Sequence, residues 1–246
     1  MNRVYMNCAR RILGAPARTS SDAVLVRLGW MPLYQLLVFR ALIWFVKGSK
    51  GLAGPALQNL ISDMRNGNAK MWTVSRFFKP ASDTLRLLSQ LDVDSSDFFS
   101  LTIPNLKSKL RDLIFIDLTD SWKLSPHAHI THIIHPQWRP RKLPRSMHSR
   151  FSHVMYNCLA VNRAPFRSWL YKIKRAKTEM CRFGCHCIED ADHVLFNCNY
   201  TNVERQDLKD LCLKENLDFS LKNIMTHPSL QISTERLLLT FFNSSK

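Results

Sequence analysis

Glycine is scarce in this chain of 246 residues, with seven in all, and acidic side chains number 19 against 35 lysines and arginines. The scarcity of glycine accompanies helix-period patterns that outnumber strand alternations, so a mainly α fold is expected. No long hydrophobic run is present. The most apolar stretch, Leu36 to Val46, is short and is interrupted by Arg40, so it excludes a membrane span. The opening Met1-Asn-Arg-Val-Tyr-Met lacks the apolar segment of a secretory signal. An intracellular setting, nucleus or cytoplasm, is therefore expected. In that setting a cysteine cluster reads as metal binding rather than as a disulfide framework. No internal repeat and no low-complexity tract occurs. The shortage of acid leaves a formal net charge of +16 and a pI near 9.9, which calls for an anionic partner, with RNA or DNA the first candidate.

Four of the seven cysteines and two histidines fall in one stretch of eighteen residues, Cys181 to Cys198. A tetrahedral metal takes four soft or borderline ligands, commonly two from a turn and two from a following element. Cys181 and Cys185 can supply the turn pair, and His193 and Cys198 the second pair from a short helix. Cys187 is a spare sulfur that can replace Cys185, while His186 points to solvent. Gly184 allows the positive φ that such a turn needs. Glu189, Asp190 and Asp192 are expected to start the short helix that carries His193, where carboxylates suit a helix N-terminus. With all four positions filled by protein, the ion would be a structural Zn2+ and not a catalytic one.

The remaining pattern is helical. Val4, Cys8 and Ile12 mark the apolar face of a first helix that stops at Gly14-Ala-Pro16. A short helix with Ala23, Val24 and Leu28 closes at Gly29. Pro32 suits the start of a long helix to about Lys47, with Leu33, Leu36, Leu37, Ala41 and Trp44 on a wide buried face and Arg40 at its edge. Stripes follow at Ala56-Leu57-Leu60-Ile61, at Asp83 to Leu91, and from Pro104 to near Trp122. These predict a helical bundle followed by a small zinc-stapled element of three cysteines and one histidine and by C-terminal helices. The expected division is residues 1–125, a basic linker with helices over 126–180, and the zinc element with its helices over 181–246.

His127, His129, His132 and His135 share nine residues but have no carboxylate among them to orient a metal-bound imidazole. They read as solvated residues of an extended connector that ends at Pro136. Beyond it the charge concentrates. Arg139, Arg141, Lys142, Arg145, Arg150, Arg163, Arg167, Lys172, Lys174, Arg175, Lys177 and Arg182 face a single acid, Glu179. The first eleven are the candidate contacts to nucleic acid, since lysine and arginine neutralise phosphates. Trp138, Phe151, Tyr156, Phe166, Trp169 and Tyr171 interleave with them. Aromatic faces can stack on bases, but most of these six read as the core of two helices.

In order along the chain stand Arg10-Arg11-Ile12-Leu13-Gly14, Leu28-Gly29-Trp30-Met31-Pro32-Leu33, His148-Ser-Arg150-Phe151, Arg163-Ala-Pro-Phe166 and Cys181-x3-Cys185-x7-His193-Val-Leu-Phe-Asn-Cys198. This ordered set resembles the part of a non-LTR (LINE-type) retrotransposon polyprotein that lies downstream of the reverse transcriptase palm. The resemblance implies a thumb-like and connector region, then a zinc element that holds nucleic acid, and contact with a palm. The aromatic-x-Asp-Asp turn of such a polymerase does not occur here, and Asp94-Ser-Ser-Asp97 is not that motif. The resemblance therefore implies a non-catalytic, nucleic-acid-binding piece of a truncated element. The competing expectation is a zinc-stabilised helical module for protein–protein contact. A nuclease with converging carboxylates gains little from Asp63, Asp92, Asp112 and Asp117, which scatter along stripes and breaks.

Overall fold

The computed structural model describes residues 2–56, 58–59, 100–126, 129–141 and 149–243. The fold is mainly α. Ten α-helices occur among the described residues: α1 (Asn2–Leu13), α2 (Ser21–Leu28), α3 (Leu33–Ser49), α4 (Ile103–Lys123), α5 (His129–Ile134), α6 (Arg150–Ala160), α7 (Arg167–Lys172), α8 (Asn202–Lys214), α9 (Leu221–Thr226) and α10 (Gln231–Asn243). A π-helical turn, His193–Asn197, and two 3-10 turns lie between α7 and α10. The extended pairing among the described residues is one isolated antiparallel bridge, Met180 with Ile188. No single described helix is long and apolar enough to cross a membrane. Leu57, Leu60, Ile61 and the Asp83 to Leu91 stripe lie outside the described residues.

The chain forms two compact units, Met1–Trp30 with Thr119–Lys246, and Met31–Leu118. This grouping differs from the expected cuts after residues 125 and 180. Helices α1 and α2 pack on each other, and α1 also docks on α6 and α2 on α5. The larger unit is built on Tyr156, Leu159, Phe166, Leu195, Leu208, Leu237 and Phe241, all buried in one cluster. Burying each such aliphatic or aromatic side chain stabilises by about 1.5–3 kcal/mol. In the smaller unit Leu42, Ile43 and Val46 of α3 pack with Leu106 and Leu110 of α4.

Two helical faces differ from expectation. On α1 the buried residues are Met6, Ala9 and Leu13, while Val4, Cys8 and Ile12 are exposed. Both sets have helical spacing, and packing against α2 and α6 selects the first. On α3 the buried residues are Val38, Leu42, Ile43 and Val46, while Leu37, Arg40 and Trp44 face outward. That helix is apolar on most sides, so its sequence does not choose a face.

The end of α2 shows how a glycine closes a helix. At α2, Gly29 N–H donates to Val26 O and Trp30 N–H to Leu25 O, with Gly29 at φ +65°. This is the Schellman ending, which favours glycine because it needs a left-handed residue. Here space adds a second demand. A Cβ at Gly29 would lie 2.3 Å from Arg141 N and 2.6 Å from Arg139 O, both backbone atoms. The run 139–141 thus crosses directly over the end of α2.

The histidine segment is also a correction. Residues His129–Ile134 form a helix, α5, not an extended connector. Ile130, Ile133 and Ile134 follow the helical spacing, and Pro136 ends it one turn later. His132 stacks on Trp122 at 3.8 Å between ring centroids, and His135 is buried. His127 lies outside the described residues.

His135 sits among buried cations. Arg27, 5% exposed, donates from Nε to Asn157 Oδ1 at 3.1 Å. Its Nη1 lies 3.1 Å from His135 Nε2, and its guanidinium sits 5.4 Å from the Tyr156 ring centroid. Arg27 can only donate, so His135 Nε2 carries the lone pair and Nδ1 the proton. Burial first, then the charges of Arg27 and Arg141, push the His135 pKa down to about 2. The sign follows: the unfolded chain takes up a proton on this histidine near pH 6.5 and the folded chain does not. Stability is full above pH 6.5 and falls as pH drops from there toward about 2. The loss is about 1.4 kcal/mol per pH unit within that window. His135→Gln is expected to reduce by one the protons taken up on unfolding at pH 5, measured from denaturant midpoints at several pH values. An unchanged slope would place the proton uptake elsewhere.

Candidate metal centre

Residues 179 to 189 fold into a short hairpin. Cys181 N–H donates to Cys187 O at 2.8 Å and Glu189 N–H to Glu179 O at 2.9 Å. At its tip Gly184, φ +76°, donates to Cys181 O at 3.2 Å. The left-handed turn expected at this glycine is thus present, and it brings Cys185 back beside Cys181. The second pair comes from the helical segment after Ala191. Asp190 Oδ1 accepts from His193 N–H at 2.8 Å and caps it, as a carboxylate at a helix start does. The π-helical turn His193–Asn197 then sets Cys198 back over His193, with Cys198 N–H donating to His193 O at 2.7 Å.

The result is one cluster. A ligand atom from each of Cys181, Cys185, His193 and Cys198 lies within 4.8 Å of the other three. Cys198 Sγ is 4.0 Å from Cys181 Sγ and 3.8 Å from Cys185 Sγ. A tetrahedral ion with thiolates at about 2.3 Å sets its sulfurs roughly 3.8 Å apart. Bonded disulfide sulfurs would be about 2.0 Å apart, so these contacts are not disulfides. His193 is buried, and its Nε2 has no hydrogen-bond partner. An orphaned imidazole nitrogen facing three sulfurs is costly alone and is satisfied by a cation.

The backbone supports the same chemistry. Cys181 Sγ receives hydrogen bonds from the backbone of Phe183 and Cys185, and Cys185 Sγ from that of Asn199 and Tyr200. Such donors stabilise thiolates. Burial raises the Cys181 and Cys198 thiols, Cys198 to about 12. At Cys185 burial is outweighed by the donors, and its thiol is lowered. Without an ion the three thiols are thus unequal, with Cys185 the one most readily ionised. These four residues can hold a metal ion.

No family model matches the chain, and no curated protein or solved structure matches it either.

What the centre can do follows from its own atoms. Cys187, the alternate ligand, is exposed, and its Sγ donates to Cys185 O at 3.0 Å. It lies outside the cluster of Cys181, Cys185, His193 and Cys198. His186 is exposed, as expected.

Glu189 was expected to start a helix and does something else. It is fully buried and pairs with Arg182. Arg182 Nη2 donates to Oε1 at 2.6 Å and Nε to Oε2 at 2.9 Å. The backbone N–H groups of Arg167 and Arg182 donate to the same carboxylate, each at 2.9 Å. Arg182 also donates to Pro165 O and lies over the rings of Phe241 and Phe242. This fork ties the hairpin to α7 and α10. The signal in the sequence was an acid directly after Ile188, seven residues from an arginine inside the cluster. Phe183 stacks on Tyr200 at 3.7 Å, joining the hairpin tip to the segment after Cys198.

The eleven candidate contacts to nucleic acid divide into groups. Lys142 and Arg145 lie outside the described residues. Arg141 is half-buried and donates to Gln137 O, and burial first, then Arg27 and Arg139, lower it to about 10. Arg150 donates from Nη2 to Arg11 O at 2.8 Å and from Nη1 to Ile12 O at 3.4 Å, so it closes the end of α1. Arg163 reaches Asn162 O, and Arg167 reaches Met180 O. Arg139, Lys172, Lys174, Arg175 and Lys177 are exposed with no ion pair among the described residues. The last four form one cationic run between α7 and the hairpin. Of the interleaved aromatics, Trp138, Tyr156 and Phe166 are buried, Trp169 is half-buried, and Phe151 and Tyr171 are exposed.

Proposed function

We propose that Cys181, Cys185, His193 and Cys198 hold one structural Zn2+, and that the chain is a non-catalytic nucleic-acid-binding piece of a non-LTR retrotransposon reverse transcriptase. Three thiolates and one imidazole at tetrahedral spacing are a donor set that zinc favours. All four corners belong to the protein, so no position is left for water or substrate. The absence of an aromatic-x-Asp-Asp turn removes the residues that would clamp two metal ions for polymerisation. The observation that carries nucleic-acid binding is the exposed run Lys172, Lys174, Arg175 and Lys177 beside the metal hairpin, with no acidic side chain paired to it among the described residues.

The test is binding of labelled RNA and DNA strands across a salt series. With about six phosphate contacts, the slope of log affinity against log salt is roughly −4 on single strands and −5 on duplex. Replacing Lys172, Lys174, Arg175 and Lys177 together with Gln is expected to flatten the single-strand slope by about 3 and to leave zinc content unchanged. Equal affinity and equal slope in parent and variant would overturn the reading. A second reading, a protein-interaction module, is favoured by the outward apolar stripe of α1, where Val4 is 67% and Ile12 39% exposed. Partner binding insensitive to salt, with no RNA or DNA bound, would select it.

A further inference from the structure

We infer that the cleft between α5, α7 and the start of the metal-binding helical segment holds one unpaired nucleotide, with guanine as its base. This rests on the nucleic-acid reading above and names where a strand would be gripped. The cleft, about 240 Å³, lies wholly within the larger compact unit. That volume is below the roughly 300–1,000 Å³ of a site for a larger ligand, and it suits one base with part of its sugar.

The lining has three kinds of chemistry. Arg163 and Lys172 place two cations on it, and Trp169 adds a half-buried indole. Leu159 and Phe166 give it an apolar floor. Asp190 and Asp192 place carboxylates on it. Phosphates seek arginine and lysine, while a base seeks an aromatic face on which to stack. Lys172 also belongs to the exposed cationic run, so a backbone following that run reaches the cleft directly.

The carboxylates make the cleft selective. Asp190 already accepts from His193 N–H through Oδ1. Asp192 is exposed and has no hydrogen-bond partner among the described residues, so it is the acceptor left for a ligand. A carboxylate accepts and does not donate. Guanine presents two adjacent donors on its pairing edge, N1–H and the 2-amino group, which match the two oxygens. Uracil presents one N–H between two carbonyls, and a carboxylate repels those carbonyls. Single strands are read through such edges, with the base splayed out and stacked.

The experiment uses the full, zinc-loaded chain and two RNA decamers, one all uridine and one with a single central guanosine. The guanosine strand is expected to bind about tenfold tighter. Trp169→Ala is expected to weaken it about tenfold, as the loss of one stacked base does. Asp192→Ala alters an exposed side chain and is expected to abolish the preference while leaving uridine binding and zinc content intact. Equal affinity for both strands, unchanged by either substitution, would overturn this inference and leave nucleic-acid binding standing. Failure to bind either strand would overturn both. If Trp169→Ala fails to fold, the Asp192→Ala result decides alone.

Discussion

If the proposed zinc is bound, chelating it is expected to unfold the region from Cys181 to Cys198 and to take α8 and α10 with it. Structural zinc sites in small modules contribute about 10–16 kcal/mol of apparent binding energy at neutral pH, all of it available to folding. A domain of ordinary stability has about 5–15 kcal/mol in total. The ion is therefore worth as much as the fold it joins. Without it, three thiols and an unpartnered imidazole crowd within 4.8 Å of one another. Cys198 is the most buried of the three sulfurs, so Cys198→Ala should reproduce chelation, with loss of the cooperative thermal transition and no zinc by metal analysis. Cys187→Ala should leave one zinc per chain and the transition unchanged. A chelated protein that melts at the same temperature as the parent would show that the four ligands are only close-packed side chains.

Glu189→Ala is expected to cost about 3–5 kcal/mol at saturating zinc, because it leaves a buried guanidinium without its countercharge. The carboxylate has no exposed surface, and Arg182 is 13% exposed, so solvent screens the pair little. Two backbone N–H groups, of Arg167 and Arg182, lose their acceptor as well. Orphaning a buried donor costs about 1–3 kcal/mol. Replacing both partners, Glu189→Leu with Arg182→Met, removes the stranded charge but not the stranded N–H groups. The double variant should recover part of the loss and remain below the parent. Denaturant midpoints for the parent, Glu189→Leu, Arg182→Met and the double variant measure the coupling. A Glu189→Ala variant within 1 kcal/mol of the parent, a margin on the order of a single hydrogen bond, would show that the fork does not anchor the hairpin.

The cluster that can hold a metal ion was legible because its determinants are local. Cys181, Cys185, His193 and Cys198 are near in sequence, and their spacing limits the geometry. The choice between Cys185 and Cys187 was not legible, because both can reach the ion from a flexible turn. The folded hairpin decides it, gathering Cys185 with the other three and leaving Cys187 exposed. Helix positions were legible wherever a glycine or proline marks a boundary, as at Gly14, Gly29 and Pro32. Helix faces were not. On α1 two apolar stripes compete, and the winner is set by α2 and by residues 150–160, more than a hundred positions away. Glu189 was legible as an acid but not as a buried one, since burial depends on α7 and α10 closing over it. The cationic stretch was legible as charge, while the use of Arg150 on helix carbonyls required the fold.

The docking of α1 and α2 on α6 has a consequence for synthesis. Arg27 waits for Asn157, 130 residues later, and Gly14 O for the Cys158 thiol, 144 residues later. A ribosome adds about 5–20 residues per second, so the gap lasts roughly 7–30 s. During that interval α1 and α2 have only each other to pack on, and the surfaces that will meet α6 and α5 are bare. Met31–Leu118, by contrast, has both of its packed helices in hand before α6 emerges. The nascent chain therefore carries a half-covered α1–α2 pair past a unit that has already had its chance to fold. This is the situation in which a chaperone that binds short apolar helices would have the longest time to act.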